Sequence, residues 1–166
     1  MRIGIGIDTG PLMLGTIGGE ARLSASVIGD AVNTAARVEA LTKRYGACVL
    51  ITDHTLDACA ERDRIPVRAV DRVRPQGKAN PIMLYEVLDG LPTEELEGKL
   101  AALEDFERGF TLYQQGRPGE GLVHFAAALK TFPGDRAAQL YVGRCWNFIE
   151  HGVPDGWDGV VTLTTK

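Results

Sequence analysis

Val27-Ile28-Gly29-Asp30-Ala31-Val32-Asn33-Thr34-Ala35-Ala36-Arg37 changes its period midway: an apolar extended run ends at Val27-Ile28, Gly29-Asp30 turns, and helical spacing follows. Asp30 is expected to cap this helix, Ala31, Val32, Ala35, Val38 and Leu41 to form its buried stripe, and Gly46 to stop it. Asn33 and Arg37 stand at i and i+4, so they share one face, and small neighbours leave that face uncrowded. An amide that can bond a sugar oxygen, beside a guanidinium that can fork onto a phosphate, suits a nucleoside triphosphate. An ordinary solvated pair on a surface helix has the same spacing.

Outward from this run, short apolar stretches alternate with glycine on the N-terminal side, in Arg2-Ile3-Gly4-Ile5-Gly6-Ile7 and Leu12-Met13-Leu14, with a turn at Asp8-Thr9-Gly10-Pro11. On the other side, 48–51 reads as a strand, Thr52 or Asp53 caps a short helix reaching about Ala60, 66–73 is extended, 77–80 turns and 82–88 is a last strand. Residues 1–88 are therefore expected to form a mixed α+β unit. Composition shifts at Asp89-Gly90-Leu91-Pro92. Helices are expected over 94–113, 119–131 and 135–150, broken at 116–119 and at Phe132-Pro133-Gly134. Gly109 and Gly121 would let two of these helices approach closely. Residues 89–152 are thus a helical region, and 153–166 an irregular end anchored by Trp157.

The 166 residues are 45% hydrophobic and 24% charged, which excludes disorder and collagen. Eighteen basic against 22 acidic side chains give a net charge of −4, and this balance does not favour nucleic acid as a partner. No apolar run approaches the roughly 18 residues of a membrane span, and Met1-Arg2-Ile3-Gly4 lacks a signal peptide's apolar core. The chain reads as cytoplasmic, although a longer parent could be membrane-anchored. Cys48, Cys59 and Cys145, with His54, His124 and His151, lack zinc-ligand spacing.

Ile5-Gly6-Ile7-Asp8-Thr9-Gly10-Pro11, Gly15-Thr16-Ile17-Gly18, the Val27 to Arg37 run and Pro81-Ile82-Met83-Leu84-Tyr85-Glu86-Val87, in this order, resemble the class III adenylate/guanylate cyclases over residues 1–88. The resemblance implies a partial ferredoxin-like α+β cyclase domain that works as a dimer, followed by an all-α hairpin tail. It implies that the family's transition-state Asn and Arg fall on Asn33 and Arg37, and its base-reading position on Ser26, which favours ATP, with GTP the second choice. The reaction implied is attack of the ribose 3′-oxygen on the α-phosphate, giving cyclic AMP and pyrophosphate with two magnesium or manganese ions.

The departures shape the expectation equally. The family's two metal-binding aspartates and base-contacting lysine lie upstream of the 2–7 strand, where these residues begin. Asp8, Asp30 and Asp53 do not occupy those positions, so no metal ligand is assigned. Gln76 replaces the family's phosphate-contacting lysine, leaving Arg74 or Lys78 to reach the phosphates, or to remain solvated turn charges. The chain is expected to be the C-terminal part of a cyclase, pairing with itself or with a cyclase domain that carries the aspartates, and its uncovered strand edges favour such pairing. The alternative is a non-catalytic regulatory or interaction protein that lost the metal-binding half. Gly109, Gly116, Gly121, Phe125, Ala128 and Pro133 also resemble a tetratricopeptide repeat, which implies a protein partner; a hairpin that simply covers the cyclase domain is the other reading. An aspartic protease around Asp8-Thr9-Gly10 fails at Pro11, and a dinucleotide fold fails at Thr9.

Overall fold

The structure, a computed structural model, describes residues 3–17, 24–75 and 79–163. Strand β1 (Ile5–Ile7) is followed by a hairpin of β2 (Met13–Ile17) and β3 (Ser24–Ile28), paired from Met13↔Ile28 to Ile17↔Ser24. Helix α1 (Asp30–Tyr45) then begins, but its capping residue is Gly29, with Asp30 as the first helical residue. The reason is steric: a Cβ at position 29 would lie 2.9 Å from the Pro11 carbonyl oxygen and 3.0 Å from Leu12 Cα, so the chain crossing there admits only glycine.

The buried stripe of α1 also differs from the expected one. Ala31, Thr34, Val38, Thr42 and Tyr45 are buried, whereas Val32, Ala35 and Leu41 are half-buried. Threonine is tolerated inside because the Thr34 hydroxyl donates to Asp30 O at 3.0 Å and that of Thr42 to Glu39 O at 2.7 Å. The helix lies tightly on β1: a Cβ at Gly6 would sit 2.2 Å from Glu39 N and 2.5 Å from Ala35 O. Gly46, at φ 70°, stops it as expected.

Strand β4 (Val49–Thr52), helix α2 (Asp53–Ala58), a 3₁₀ turn (Arg62–Arg64), β5 (Val67–Arg74) and β6 (Ile82–Val87) follow. Thr52 caps α2 by accepting the Thr55 N–H. The sheet runs β1-β4-β6-β5-β7, with β1 parallel to β4, β6 antiparallel to both β4 and β5, and β7 (Val161–Thr162) parallel to β5. A bulge between Ala69 and Asp71 buries both Val70 and Asp71.

The expected single helix over 94–113 is two: α3 (Thr93–Ala101) and α4 (Leu103–Gln114), separated at Ala102. No proline or capping residue marks the break. Docking decides it, because Gly98 takes the Phe132 ring against its bare face while Lys99 is drawn to Glu86. Helices α5 (Pro118–Thr131) and α6 (Arg136–His151) complete the tail, so four helices stand where three were expected. Asp135 caps α6 with bonds from the Ala137 and Ala138 N–H groups. A Cβ on Gly121 would lie 3.1 Å from the Gly109 carbonyl oxygen, which shows how closely α4 and α5 approach.

One apolar cluster crosses residue 88, joining Val38, Leu50, Val70, Val73 and Leu84 to Phe106, Phe110, Tyr113, Phe125 and Tyr141. Tyr141 stacks on Phe125 at 4.8 Å and donates its hydroxyl to Val70 O at 2.9 Å. Beside it lies a buried charged cluster. Arg68 bonds Glu86 at 2.7 Å and Asp135 through two nitrogens, and Lys99 bonds Glu86 and pairs with Glu95 at 2.9 Å. The end expected to be irregular over 153–166 is anchored by Trp157, whose indole nitrogen donates to Tyr113 O at 3.3 Å, but it returns to the sheet as β7.

Candidate functional site

Asn33 and Arg37 both lie in the first half of α1 and are exposed, with exposed Ala36 between them and Ala31, Thr34 and Val38 buried on the opposite side. The tail leaves this face open. At the far end of α1 the Tyr45 hydroxyl donates to Asp71 at 2.5 Å, and Arg144 of α6 donates to the same carboxylate at 2.8 Å. Asn33 closes the first turn of α1 and Arg37 stands one turn further along. Gly6 and Gly29 set the position of the N-terminal end of α1, one by fitting the helix onto β1 and the other by fitting its start against Pro11 and Leu12.

Ser26 lies on β3 opposite Gly15, three positions before the turn into α1; its side chain lies outside the described residues. Lys78 also lies outside them. Arg74 ends β5. Strand directions put this end of β5 on the same side of the sheet as the C-terminal ends of β1 and β4 and the start of α1. The sheet order places β5 three strands from β1, about 14 Å away. Arg74 is half-buried and engaged, donating to Asp158 Oδ2 at 2.9 Å and to Ala79 O at 3.3 Å. The structure thus groups Asn33 with Arg37 and holds Arg74 on the closing segment.

Asp158 escaped the sequence reading because it is 84 residues from Arg74. Asp8 is the other polar centre at this end of the sheet. Its nearly buried carboxylate accepts from Thr52 Oγ1 at 2.6 Å and faces His54 Nδ1 at 3.1 Å, tying the exit of β1 to α2. Asp53 accepts from the N–H groups of His54 and Met83. These carboxylates serve the fold, and among the described residues no three His, Cys, Asp or Glu side chains gather as a metal site. Among the described residues no helix is long and apolar enough to cross a membrane.

Comparison with known proteins sets this geometry in a family. Residues 1–88 match the family described as the adenylate and guanylate cyclase catalytic domain. The terminal-differentiation-specific adenylate cyclase of Dictyostelium discoideum is 35% identical over 143 residues, which are 86% of this chain and 7% of that protein. The adenylate cyclase of Anabaena cylindrica is 42% identical over 86 residues, 51% of this chain and 17% of that protein. The chain thus spans less than a fifth of the length of either relative. A solved bacterial light-regulated adenylyl cyclase is 26% identical over 54% of this chain and 24% of that one, with a TM-score of 0.45. Since the family match covers more than half of the residues and includes the whole of α1, the chain belongs to the adenylate and guanylate cyclase catalytic domain family.

Proposed function

We propose that this chain is the C-terminal portion of an adenylate cyclase and supplies the Asn33/Arg37 half of a two-chain active site that converts ATP to cyclic AMP and pyrophosphate in signal transduction. The observation that carries the reading is the exposed amide and guanidinium one turn apart on α1, in a segment belonging to the cyclase family. In this reading Arg37 neutralises the charge that grows on the α-phosphate, Asn33 holds the ribose so that its 3′-oxygen faces that phosphorus, and Ser26 reads the base. Arg74 and Lys78 are the candidates for the outer phosphates. The carboxylates for magnesium or manganese would come from the partner domain, since Asp8 and Asp53, the carboxylates at this end of the sheet, are engaged by Thr52, His54 and Met83.

The hairpin offers a surface for such pairing: Met13 is 71% and Leu14 74% exposed, with Leu12, Val27 and Ile28 also exposed beside them. For the tail, we propose a tetratricopeptide-like module whose inner side packs on the sheet and whose outer side, including exposed Val123, Trp146 and Ile149, meets a protein partner.

The test has two arms. The purified chain with ATP and magnesium or manganese forms no cyclic AMP. Mixed with a cyclase domain that keeps its aspartates but lacks its own Asn and Arg, it restores the product, and Asn33→Ala or Arg37→Ala lowers the restored rate by about 10²- to 10³-fold. Restoration that is indifferent to both substitutions, or no restoration despite a demonstrated complex, leaves the non-catalytic regulatory protein as the correct description.

A further inference from the structure

We infer that the closing segment 153–163 is an autoinhibitory strap in which Asp158 occupies Arg74 in place of a polyphosphate, an inference that rests on the triphosphate reading above. Arg74 ends β5 at the end of the sheet from which α1 also starts, so once released it is a cation on the same end of the fold as Asn33 and Arg37. Its guanidinium is instead held by Asp158 Oδ2 at 2.9 Å.

The strap is fastened on both sides of this contact. Upstream, Trp157 packs edge-on against Tyr113 and Phe148 at 5.5 and 5.0 Å. Downstream, β7 pairs with the last two residues of β5, and the Leu163 N–H reaches Arg74 O at 3.0 Å. Arg72 adds a bond to Asp158 O at 3.4 Å, and the carboxylate also accepts the Val160 N–H. Asp158 is therefore positioned by its flanks, not by the ion pair alone. The pair itself is open to water, with Asp158 51% exposed, so an incoming anion can reach it, and a surface pair of this kind is weak enough to exchange. Arg74 bonds carboxylate or phosphate through the same donors. The Arg74 hydrogen bond, with that of Val160, holds the Asp158 carboxyl below its ordinary value.

The test is calorimetric titration of the full chain with inorganic tripolyphosphate. Asp158→Asn is expected to tighten binding about two- to five-fold, the worth of an exposed ion pair. Asp155→Asn removes the same charge three positions away from the contact and is expected to leave affinity unchanged. Adding Arg74→Gln to Asp158→Asn is expected to abolish the gain. Equal tightening by both aspartate variants, no tightening by Asp158→Asn, a gain that survives Arg74→Gln, or no binding by any variant overturns the strap. Two results separate the ideas: an inert Asp158→Asn, with a restored cyclase rate that still falls in Arg37→Ala, removes the strap and keeps the triphosphate reading, whereas a restored rate indifferent to Asn33 and Arg37 removes that reading.

Discussion

Arg68 has no exposed side-chain surface, and its charge is stabilised by the Glu86 and Asp135 carboxylates and by the face of the Phe106 ring 4.4 Å away. Removing one member of a buried pair leaves the other uncompensated, and Asp135→Ala also deletes the cap of α6. Its expected cost is about 3–5 kcal/mol, read from urea denaturation. The same contact carries a pH dependence. Burial works to raise the Asp135 carboxyl, but the hydrogen bonds and charge of Arg68 outweigh it and hold the group below 3.8. A carboxyl depressed by folding stabilises the native state above its unfolded value, and that contribution fades as pH falls below about 4. Denaturation midpoints of the wild type should decline over this range, and Asp135→Asn should flatten the decline. Glu86 was not singled out beforehand, although it shares strand parity with Ile82, Leu84 and Leu88. Its partners were not legible either, because Lys99 and Asp135 come to it from other elements.

At the scale of elements, the site depends on how α1 is seated. Gly6 has no room for a side chain against the backbone of Ala35 and Glu39, so Gly6→Ala should push α1 off β1, cost about 1–3 kcal/mol, and lower the restored cyclase rate through the displacement of Asn33 and Arg37. Thermal denaturation alongside the mixed-chain assay checks both effects. Gly121→Val tests the tail in the same way: the wider side chain should part α4 from α5 at comparable cost while sparing the face of α1. The helix itself was readable because its period, its glycine stop and the i, i+4 pair are local properties. Its buried stripe was read about one position askew, because two threonines satisfy their hydroxyls on their own helix and so behave as core residues.

At the scale of the molecule, the apolar cluster and the charged cluster both cross residue 88. A chain ending at 88 would expose Leu50, Val70, Val73 and Leu84 and leave Arg68, Glu86 and Asp71 without the partners that the tail supplies. It is expected to lack a cooperative thermal transition and to bind a hydrophobic dye, whereas the full chain melts cooperatively. The opposite side of the molecule is apolar and uncovered along β1 and the hairpin, so Leu14→Glu should shift the full chain toward monomer in sedimentation velocity without lowering its melting temperature.

The α+β order of the first 88 residues, the family, the helical character of the tail and the shared face of Asn33 and Arg37 could be read from the chain alone, because each depends on contacts within a few positions or on a linear motif. Packing between distant segments settled that the tail closes the same core as the sheet, that the helix expected over 94–113 breaks at Ala102, and that Arg74 is gripped by Asp158. Those outcomes arise where surfaces distant in sequence meet, and there the burial of charge and the fit of bare glycines against rings and backbone outweigh local preference.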